Sequence, residues 1–140
     1  MSDIDHEIRI AAAPARVFQA LTTADDLAAW YTPTVDGTGA VGSEWRFRFT
    51  GRPEFRWQIV AADPARHVEW RCVAGPGDSA GTRVSYDISQ TPDGRAVVVC
   101  THAGWPDAGG NFRKCNTIWG GLMHHLKDYV ESGRPRPAFA

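Results

Sequence analysis

Apolar and polar side chains alternate along the chain between residues 44 and 102, in a series of short segments. In the first segment, Trp45, Phe47 and Phe49 share one phase and charged residues fill the other. Successive side chains of a strand point to opposite faces, so this alternation predicts strands with one buried face. In the later segments the inward phase is formed by Phe55, Trp57 and Ile59, by Val68, Trp70 and Cys72, by Val84, Tyr86 and Ile88, and by Val97, Val99 and Thr101.

Turn-forming residues lie between these segments, notably at positions 63–64, 75–77 and 92–94. Their proline, glycine and aspartate residues favour short reversals of the chain. Strands joined in this way lie side by side, so the simplest topology is a meander of antiparallel hairpins. Residues 5–10 also alternate, with His6, Ile8 and Ile10 in one phase and charged residues in the other, which predicts one more strand before the meander.

Two short helices are expected after the first strand, and one long helix after the last. Pro14 suits a first helical turn, and residues 17–21 give that helix an apolar face. Thr23 can cap a second helix that reaches Tyr31. From residue 111 to residue 131, apolar side chains recur at helical spacing along one stripe, which predicts a long amphipathic helix.

Two glycines, Gly120 and Gly121, lie in the middle of this predicted long helix. Each costs roughly 1 kcal/mol relative to alanine at such a position. Close approach of another backbone, or room for a ligand, would compensate for that cost; ordinary helix packing is the alternative. In either case the helix has to cover the apolar face of the sheet. We therefore predict an α+β fold, in which a curved antiparallel sheet wraps around the C-terminal helix.

Length and charge restrict the organisation and the partners of the chain. Its 140 residues and 43% hydrophobic content suit a single domain, which we expect to span residues 1–133, followed by a flexible tail at 134–140. The formal net charge is −1 and no basic run is clustered, which argues against nucleic-acid binding. The charged N-terminus and the lack of a long apolar run argue against a signal peptide or a membrane span, so we expect a cytoplasmic protein.

The cysteine count adds a prediction about redox state. Cys72, Cys100 and Cys115 are three in number and widely spaced, without a paired motif. This arrangement predicts reduced, buried thiols rather than a disulfide framework. The basic residues are nearly all arginine, and alanine and glycine are abundant, which hints at a bacterial gene of high GC content.

The inward residues are unusually rich in aromatic rings, which predicts a cavity between the sheet and the long helix. Tryptophan and tyrosine often line pockets in which one edge of the ring can bond a ligand or water. A solid aromatic core is the alternative. The predicted ligand-binding wall consists of Trp30, Trp45, Phe47, Phe49, Phe55, Trp57, Trp70, Tyr86, Val97, Val99, Thr101, Trp119 and Met123.

The order of elements and several local segments resemble the START-like helix-grip (SRPBCC) superfamily. The resemblance rests on residues 13–21, 27–31, 42–47, 102–105 and 118–133. Within the superfamily, the chain is most similar to the group related to the C-terminal domain of the activator of the large heat-shock chaperone's ATPase. The resemblance implies a deep pocket for a hydrophobic or amphipathic small molecule, such as a lipid or a polyketide-like compound, often without catalysis.

Spacing alone supports no metal or cofactor site. Residues 37–42 match the dinucleotide-binding fingerprint by letters, but a strand follows them where that motif requires a helix. Cys100 and His102 share one strand face without a third ligand, and His124 and His125 point in different directions on a helix. We therefore predict neither a metal nor a cofactor.

Binding of a small hydrophobic ligand is the leading hypothesis for function. An enzyme of the cyclase or dehydratase type, working in the same cavity, is the second. Its acid–base candidates are Tyr86 and His6, with Thr101, Asn116 and His125 as further polar groups. The third hypothesis is a protein-interaction module with a chaperone partner, as the resemblance implies. A homodimer formed through a sheet edge or through helix packing is also open.

Overall fold

The computed structural model describes residues 2–139, whose elements follow the predicted order with one short strand added. In chain order they are β1 (Ser2–Ile10), α1 (Pro14–Thr22), α2 (Ala24–Trp30), β2 (Thr34–Asp36), β3 (Glu44–Phe49), β4 (Arg52–Asp63), β5 (His67–Ala74), β6 (Arg83–Gln90), β7 (Ala96–Trp105) and α3 (Asn111–Ser132). A 3-10 turn, Gly77–Ser79, follows β5. The added strand is β2, which has only three residues and is too short to produce an alternating pattern.

The seven strands form one antiparallel sheet in the order β1-β7-β6-β5-β4-β3-β2. Strands β2 to β7 pair in sequence order, which confirms the predicted meander. β1 pairs with β7 at one edge of the sheet, and β2 forms the other edge. The sheet and the three helices share one core, so the α+β helix-grip prediction is confirmed.

The predicted inward phase is confirmed in β3, β4, β5 and β6. Across the β3–β4 pair, Trp45 lies opposite Trp57 and Phe47 lies opposite Phe55. Full burial of one such large apolar side chain contributes about 1.5–3 kcal/mol, so this face supplies much of the core's stability. The buried residues of these strands are Trp45, Phe47, Trp57, Ile59, Val68, Trp70, Cys72, Val84, Tyr86 and Ile88.

The predicted inward phase of β7 is wrong. The strand buries Ala96, Val98, Cys100 and His102. The residues predicted to face inward lie half-buried on the opposite face: Val97, Val99 and Thr101. On that face the Thr101 hydroxyl donates a hydrogen bond to the Asp5 carboxylate of β1, at 2.7 Å. Residues 96–100 are all apolar, so hydrophobicity alone does not distinguish the two faces of this strand.

Helix α3 covers the buried face of the sheet through one stripe of its surface. Its buried residues are Trp119, Leu122, Met123 and Leu126. The helix ends at Gly133, whose φ of 73° is the left-handed conformation that glycine adopts readily at a helix C-terminus. Within residues 2–139, none of the helices combines the length and the apolar character that crossing a membrane requires.

The glycine pair in α3 does not mark a close approach of two backbones. A Cβ atom on Gly120 would lie 3.7 Å from Cε1 of His6, which is an ordinary contact. A Cβ atom on Gly121 would meet no atom of the described chain within 4 Å. The predicted compensation by a close backbone contact is therefore wrong for both residues.

Replacing Gly121 with alanine is therefore expected to stabilise the protein. The new methyl group meets open space, and alanine lowers the entropy of the unfolded chain, so we expect a gain of about 0.5–1 kcal/mol. Urea unfolding of the wild type and of Gly121→Ala measures this change in the free energy of unfolding. Gly133→Ala is the control and should destabilise, because its backbone φ is positive. A loss of stability in Gly121→Ala would contradict this account.

Residues 134–139, hereafter the terminal segment, lie against the domain. Backbone N–H groups of Arg136, Ala138 and Phe139 donate to the carbonyl groups of residues 29–31, at 2.8, 3.0 and 3.1 Å. This pairing places residues 134–139 beside the C-terminal end of α2, and the flexibility predicted for 134–140 stays a prediction; residue 140 lies outside the described residues. The proline-rich sequence suggested fraying because it lacks the periodicity of a strand or helix.

Asp26 connects the three helices through its carboxylate. It accepts hydrogen bonds from the hydroxyl groups of Thr23, at 2.6 Å, and of Tyr129, and it lies 3.4 Å from the Arg16 guanidinium. Burial alone would raise the pKa of Asp26, but these donors outweigh it and hold that pKa below its usual value. Thr23 is the N-cap residue of α2, as predicted, although its hydroxyl bonds a side chain rather than a backbone N–H.

Candidate ligand-binding site

A cavity of about 250 Å³ lies between strands β3 and β4, the N-terminal half of α3 and the terminal segment. This volume is just below the range of about 300–1,000 Å³ that is usual for small-molecule pockets. The cavity wall is formed by Tyr31, Phe49, Arg52, Pro53, Phe55, Trp57, Pro76, His102, Asn111, Lys114, Cys115, Ile118, Trp119 and Phe139.

The β3–β4 hairpin supplies the aromatic side of the wall. Phe49 and Arg52 pair across the end of the hairpin. Further along β4, the rings of Phe55 and Trp57 stack with their centroids 5.4 Å apart and their planes 7° apart. Phe49 meets Phe55 edge to face at 6.3 Å. The hairpin therefore presents a continuous aromatic surface to the cavity.

Helix α3 supplies the opposite side. Cys115, Ile118 and Trp119 are spaced three and four residues apart, which places them on one face of the helix. Asn111 lies at the start of the helix, where its side-chain amide donates to the carbonyl oxygen of Pro76 at 2.6 Å. This bond fixes the first turn of α3 to the loop that follows β5. Burial raises the pKa of the Cys115 thiol to about 11, so the thiol is protonated at neutral pH.

The terminal segment closes one part of the wall through Phe139. The Phe139 ring packs edge to face on Phe49, at 4.8 Å between centroids, and stacks on Tyr31 at 6.3 Å. The guanidinium of Arg52 lies 5.3 Å above the centre of the same ring. An aromatic residue from outside the predicted domain boundary is thus part of the cavity wall.

A buried chain of hydrogen bonds runs from the cavity wall into the core. The Trp119 indole N–H donates to Nδ1 of His102 at 3.0 Å, so the ring proton of a neutral His102 is on Nε2. This N–H donates to the Thr82 hydroxyl at 2.7 Å, and that hydroxyl donates to the Ser79 carbonyl. Burial lowers the pKa of His102 to about 3. His102 is therefore neutral, and both of its nitrogens are engaged.

Other buried polar groups have no hydrogen-bond partner within residues 2–139. These are the indole N–H groups of Trp45, Trp57, Trp70 and Trp105 and the hydroxyl groups of Ser79 and Tyr86. A buried polar group without a partner costs about 1–3 kcal/mol. Trp57 also belongs to the cavity wall, whereas Tyr86 is completely buried in the core.

Replacing Tyr86 with phenylalanine is expected to leave the protein as stable as the wild type or about 1 kcal/mol more stable, because it removes a buried hydroxyl without a partner. Urea unfolding measures the change, with Trp119→Phe as the control. That control removes a buried N–H that does have a partner, so it should destabilise. A clear loss of stability in Tyr86→Phe would show that the hydroxyl is hydrogen-bonded in solution.

Only part of the predicted ligand-binding set meets at the cavity. The predicted residues that line it are Phe49, Phe55, Trp57 and Trp119. Those buried in the core but outside the cavity wall are Trp30, Trp45, Phe47, Trp70, Tyr86 and Met123. The remaining three, Val97, Val99 and Thr101, lie on the other face of β7.

The predicted acid–base candidates do not converge. Nε2 of His6 lies 3.0 Å from the Asn116 side-chain oxygen, at the contact of β1 with α3. Nδ1 of His125 lies 2.7 Å from the Arg136 carbonyl oxygen. Neither histidine belongs to the cavity wall, and Tyr86 is buried apart from both. Their catalytic role stays a prediction without a shared site to support it.

The cavity wall also contains residues that were not predicted to bind a ligand. Cys115 lies on the apolar stripe of the predicted helix, so the signal for it was present in the sequence. Arg52 and Lys114 are charged residues in exposed positions, which are usually solvated. His102 was assigned to the wrong face of β7. The others are Tyr31, Pro53, Pro76, Asn111, Ile118 and Phe139.

Within the described range, 2–139, no group of three or more His, Cys, Asp or Glu side chains is placed to hold a metal ion. The chemistry available at the cavity is therefore that of aromatic surfaces, one neutral histidine and two cationic side chains, Arg52 and Lys114.

Sequence and structure comparisons give related proteins. A family model described as polyketide cyclase/dehydrase and lipid transport matches residues 1–130. The chain is similar to the Aha1 dimer from Colwellia psychrerythraea, whose solution structure shares 34% identity at a TM-score of 0.86. That match covers 95% of this chain and 98% of the other. A comparison with curated proteins gives no match.

Two crystal structures of lower identity share the fold. CalU16 from Micromonospora echinospora matches at 17% identity and a TM-score of 0.75, over 96% of this chain and 77% of that one. Protein MLL2253 from Mesorhizobium loti matches at 17% identity and a TM-score of 0.80, over 92% and 96% of the two chains. At such identities the likeness concerns the fold alone.

Proposed function

Since the chain belongs to the polyketide cyclase/dehydrase and lipid transport family, we propose that it binds a small hydrophobic or amphipathic ligand in the cavity between the β3–β4 hairpin and α3. The family match and the Colwellia structure also confirm the resemblance to the START-like helix-grip superfamily. The observation that carries the proposal is the aromatic wall, in which Phe49, Phe55, Trp57 and Trp119 border a cavity of about 250 Å³. Aromatic rings of this kind bind apolar ligands by excluding water from both surfaces.

Binding fits the chemistry of the cavity better than turnover does. Both nitrogens of His102 are engaged and its pKa is about 3, so it is a poor general base near neutral pH. The Cys115 thiol, with a pKa of about 11, is a poor nucleophile. A group that only positions a ligand need be neither basic nor nucleophilic. These properties support binding at the cavity; the cyclase or dehydratase alternative rests on the family's description and on no acid–base group of the cavity wall.

Native mass spectrometry tests the proposal. Protein purified from its own host is expected to carry a bound small molecule that is lost under denaturing conditions. In a thermal-shift panel of lipids and polyketide-like compounds, those that bind should raise the melting temperature of the apo protein, because binding to the folded state stabilises it by mass action. The comparison variant is Cys115→Phe, which adds a ring inside the cavity. Its control is Thr117→Phe, which adds the same ring on the exposed face of α3.

Two results would count against ligand binding. One is a clean apo mass together with no thermal shift across the panel. The other is equal binding by the wild type and by Cys115→Phe, because a ligand in this cavity cannot share the space with an added ring. Loss of binding in Thr117→Phe as well would point to a general effect on the helix rather than to the cavity.

The similarity to a dimer at 34% identity supports a second proposal, that this chain also forms a homodimer. Light scattering coupled to size-exclusion chromatography should then give twice the monomer mass of 15.4 kDa. A monomer mass at all tested concentrations would remove this proposal. A chaperone partner and a cytoplasmic location stay predictions from the sequence.

A further inference from the structure

The charged residues of the cavity wall are of one sign. The chain as a whole has 15 basic and 16 acidic residues, almost a balance. At the cavity, Arg52 and Lys114 are the charged side chains, and no aspartate or glutamate of the described chain belongs to the wall. Since an exposed mixture of both signs is the ordinary state of a protein surface, this local excess of positive charge distinguishes the cavity from its surroundings.

These two cations differ from the arginines of the neighbouring sheet surface in having no acidic partner within residues 2–139. Within residues 2–139, neither Arg52 nor Lys114 makes a salt bridge, whereas nearby arginines do. The paired arginines are Arg46 with Glu54, Arg48 with Asp36, Arg56 with Glu44 and Arg83 with Glu69, at 3.6, 3.5, 2.9 and 3.7 Å. Arg52 instead lies over the Phe139 ring, a contact that keeps its guanidinium at the exposed edge of the cavity.

The start of α3 adds to the positive potential at this position. The N-terminus of this 22-residue helix has no side-chain cap and no acidic residue in its first turn. Asn111 and Lys114, in that part of the helix, both belong to the cavity wall. Backbone N–H groups at a helix N-terminus attract negative charge. The Asp78 carboxylate lies beside Gly110 and offsets part of this potential, so it is the two side-chain cations that indicate an anion.

We propose that the ligand is an aromatic or other flat apolar acid, whose carboxylate lies between Arg52 and Lys114 and whose apolar body lies against Phe55, Trp57 and Trp119. This inference rests on the proposed function and names its ligand class. Arginine and lysine both donate hydrogen bonds to carboxylates, and these charge-assisted bonds are stronger than neutral ones. The aromatic rings of Phe55, Trp57 and Trp119 in the wall suit a flat apolar body, because aromatic groups pack favourably against one another.

Isothermal titration calorimetry with three naphthalene probes tests this assignment. The probes are 2-naphthoate, 2-naphthol and 2-naphthylmethylammonium, which share one apolar body and differ in charge. At low salt we expect 2-naphthoate to bind about five- to thirtyfold more tightly than 2-naphthol, since each exposed ion pair contributes modestly. The ammonium probe should bind most weakly. Raising the salt concentration should reduce the preference for naphthoate.

Variants of the two cations locate the effect. In the double variant Arg52→Gln/Lys114→Gln, the ratio of the naphthoate and naphthol affinities should fall to about one. The control is Arg113→Gln, which removes the same charge from the adjacent exposed position of α3, outside the cavity wall. That control should keep most of the wild-type ratio.

The possible results separate this inference from the proposed function. Equal affinities for naphthoate and naphthol in the wild type would overturn the acidic ligand but leave apolar binding intact. No binding of any probe, together with a failed lipid and polyketide panel, would overturn both. An equal drop in the ratio for Arg113→Gln and for the double variant would also overturn the inference, because a diffuse surface charge would then explain the preference.

Discussion

Lowering the pH from about 6.5 towards 4 is expected to destabilise the wild-type protein more than a His102→Gln variant. His102 is 1% exposed and its pKa falls to about 3, whereas in the unfolded chain its pKa is near 6.5. Below pH 6.5, His102 is therefore protonated in the unfolded state but stays neutral in the folded state. The free energy of unfolding falls as the pH falls, by up to about 1.4 kcal/mol per pH unit, or about 3 kcal/mol by pH 4.

The sign of this effect is fixed by the direction of the pKa shift. Stability linked to His102 is fully present above pH 6.5, and it is lost progressively as the pH falls towards 3. His67 behaves in the opposite way. Burial alone would lower its pKa, but its contacts with Asp87 and Glu69 raise it, so its contribution is present at low pH and is lost as the pH rises.

Urea unfolding of the wild type and of His102→Gln between pH 4 and pH 8 measures the effect. The glutamine side chain can accept from Trp119 and donate to Thr82, so the variant keeps the hydrogen-bond chain without a titrating group. Asp26 and His67 titrate in both proteins, and their contributions cancel in the difference. The difference in the free energy of unfolding between the wild type and His102→Gln should be constant above pH 7 and should change with pH below pH 6. A difference that does not depend on pH would mean that His102 gains its proton in the folded state.

The neutral state of His102 also bears on how an anionic ligand is bound. An imidazole that stays uncharged supplies no positive charge to the inner part of the cavity. The cations lie on the exposed residues Arg52 and Lys114 instead. The cavity therefore has an apolar interior and a cationic edge, which is the arrangement that an amphipathic acid needs.

The sequence predicts the sheet well where its two faces differ in polarity. In β3, aromatic and charged residues strictly alternate, and the structure buries Trp45 and Phe47 and half-buries Phe49. In β7 the run of apolar residues from Ala96 to Cys100 gives both faces the same character. The buried side is then decided by pairing with its neighbours, such as Cys100 opposite Tyr86, and this register is not visible in the strand's own pattern.

The cavity is harder to predict than the core, because an inward ring can either pack or border a space. Trp45 and Trp57 face each other across two strands and belong to the same inward pattern, yet only Trp57 lines the cavity. The difference depends on where the start of α3 and the terminal segment meet the sheet. Phe139 shows most clearly why the sequence does not predict the cavity wall. Backbone hydrogen bonds place this residue at the cavity, and such bonds leave no pattern in the sequence.

Truncating Trp119 to alanine is expected to be among the most damaging single changes to the core. The ring is 2% exposed, meets Tyr31 and Tyr86 edge to face at 6.0 and 5.9 Å, and donates to His102. Removing a buried tryptophan ring costs about 3–5 kcal/mol. Trp119→Phe keeps most of the ring but leaves Nδ1 of His102 without its donor, so we expect a smaller loss of about 1–3 kcal/mol.

Urea unfolding of both variants separates the loss of packing from the loss of the hydrogen bond. His124→Ala is the control, because it is an exposed residue of the same helix and should change stability by less than about 0.5 kcal/mol. Trp119→Ala also enlarges the cavity, so a thermal-shift panel should then favour bulkier ligands than in the wild type. A loss below about 1 kcal/mol for Trp119→Ala would contradict the packing of this ring in the core, because removing so deeply buried a tryptophan costs more than that. Equal losses for Trp119→Ala and Trp119→Phe would instead assign the effect to the bond with His102, which would then be the main contribution of this side chain to the fold.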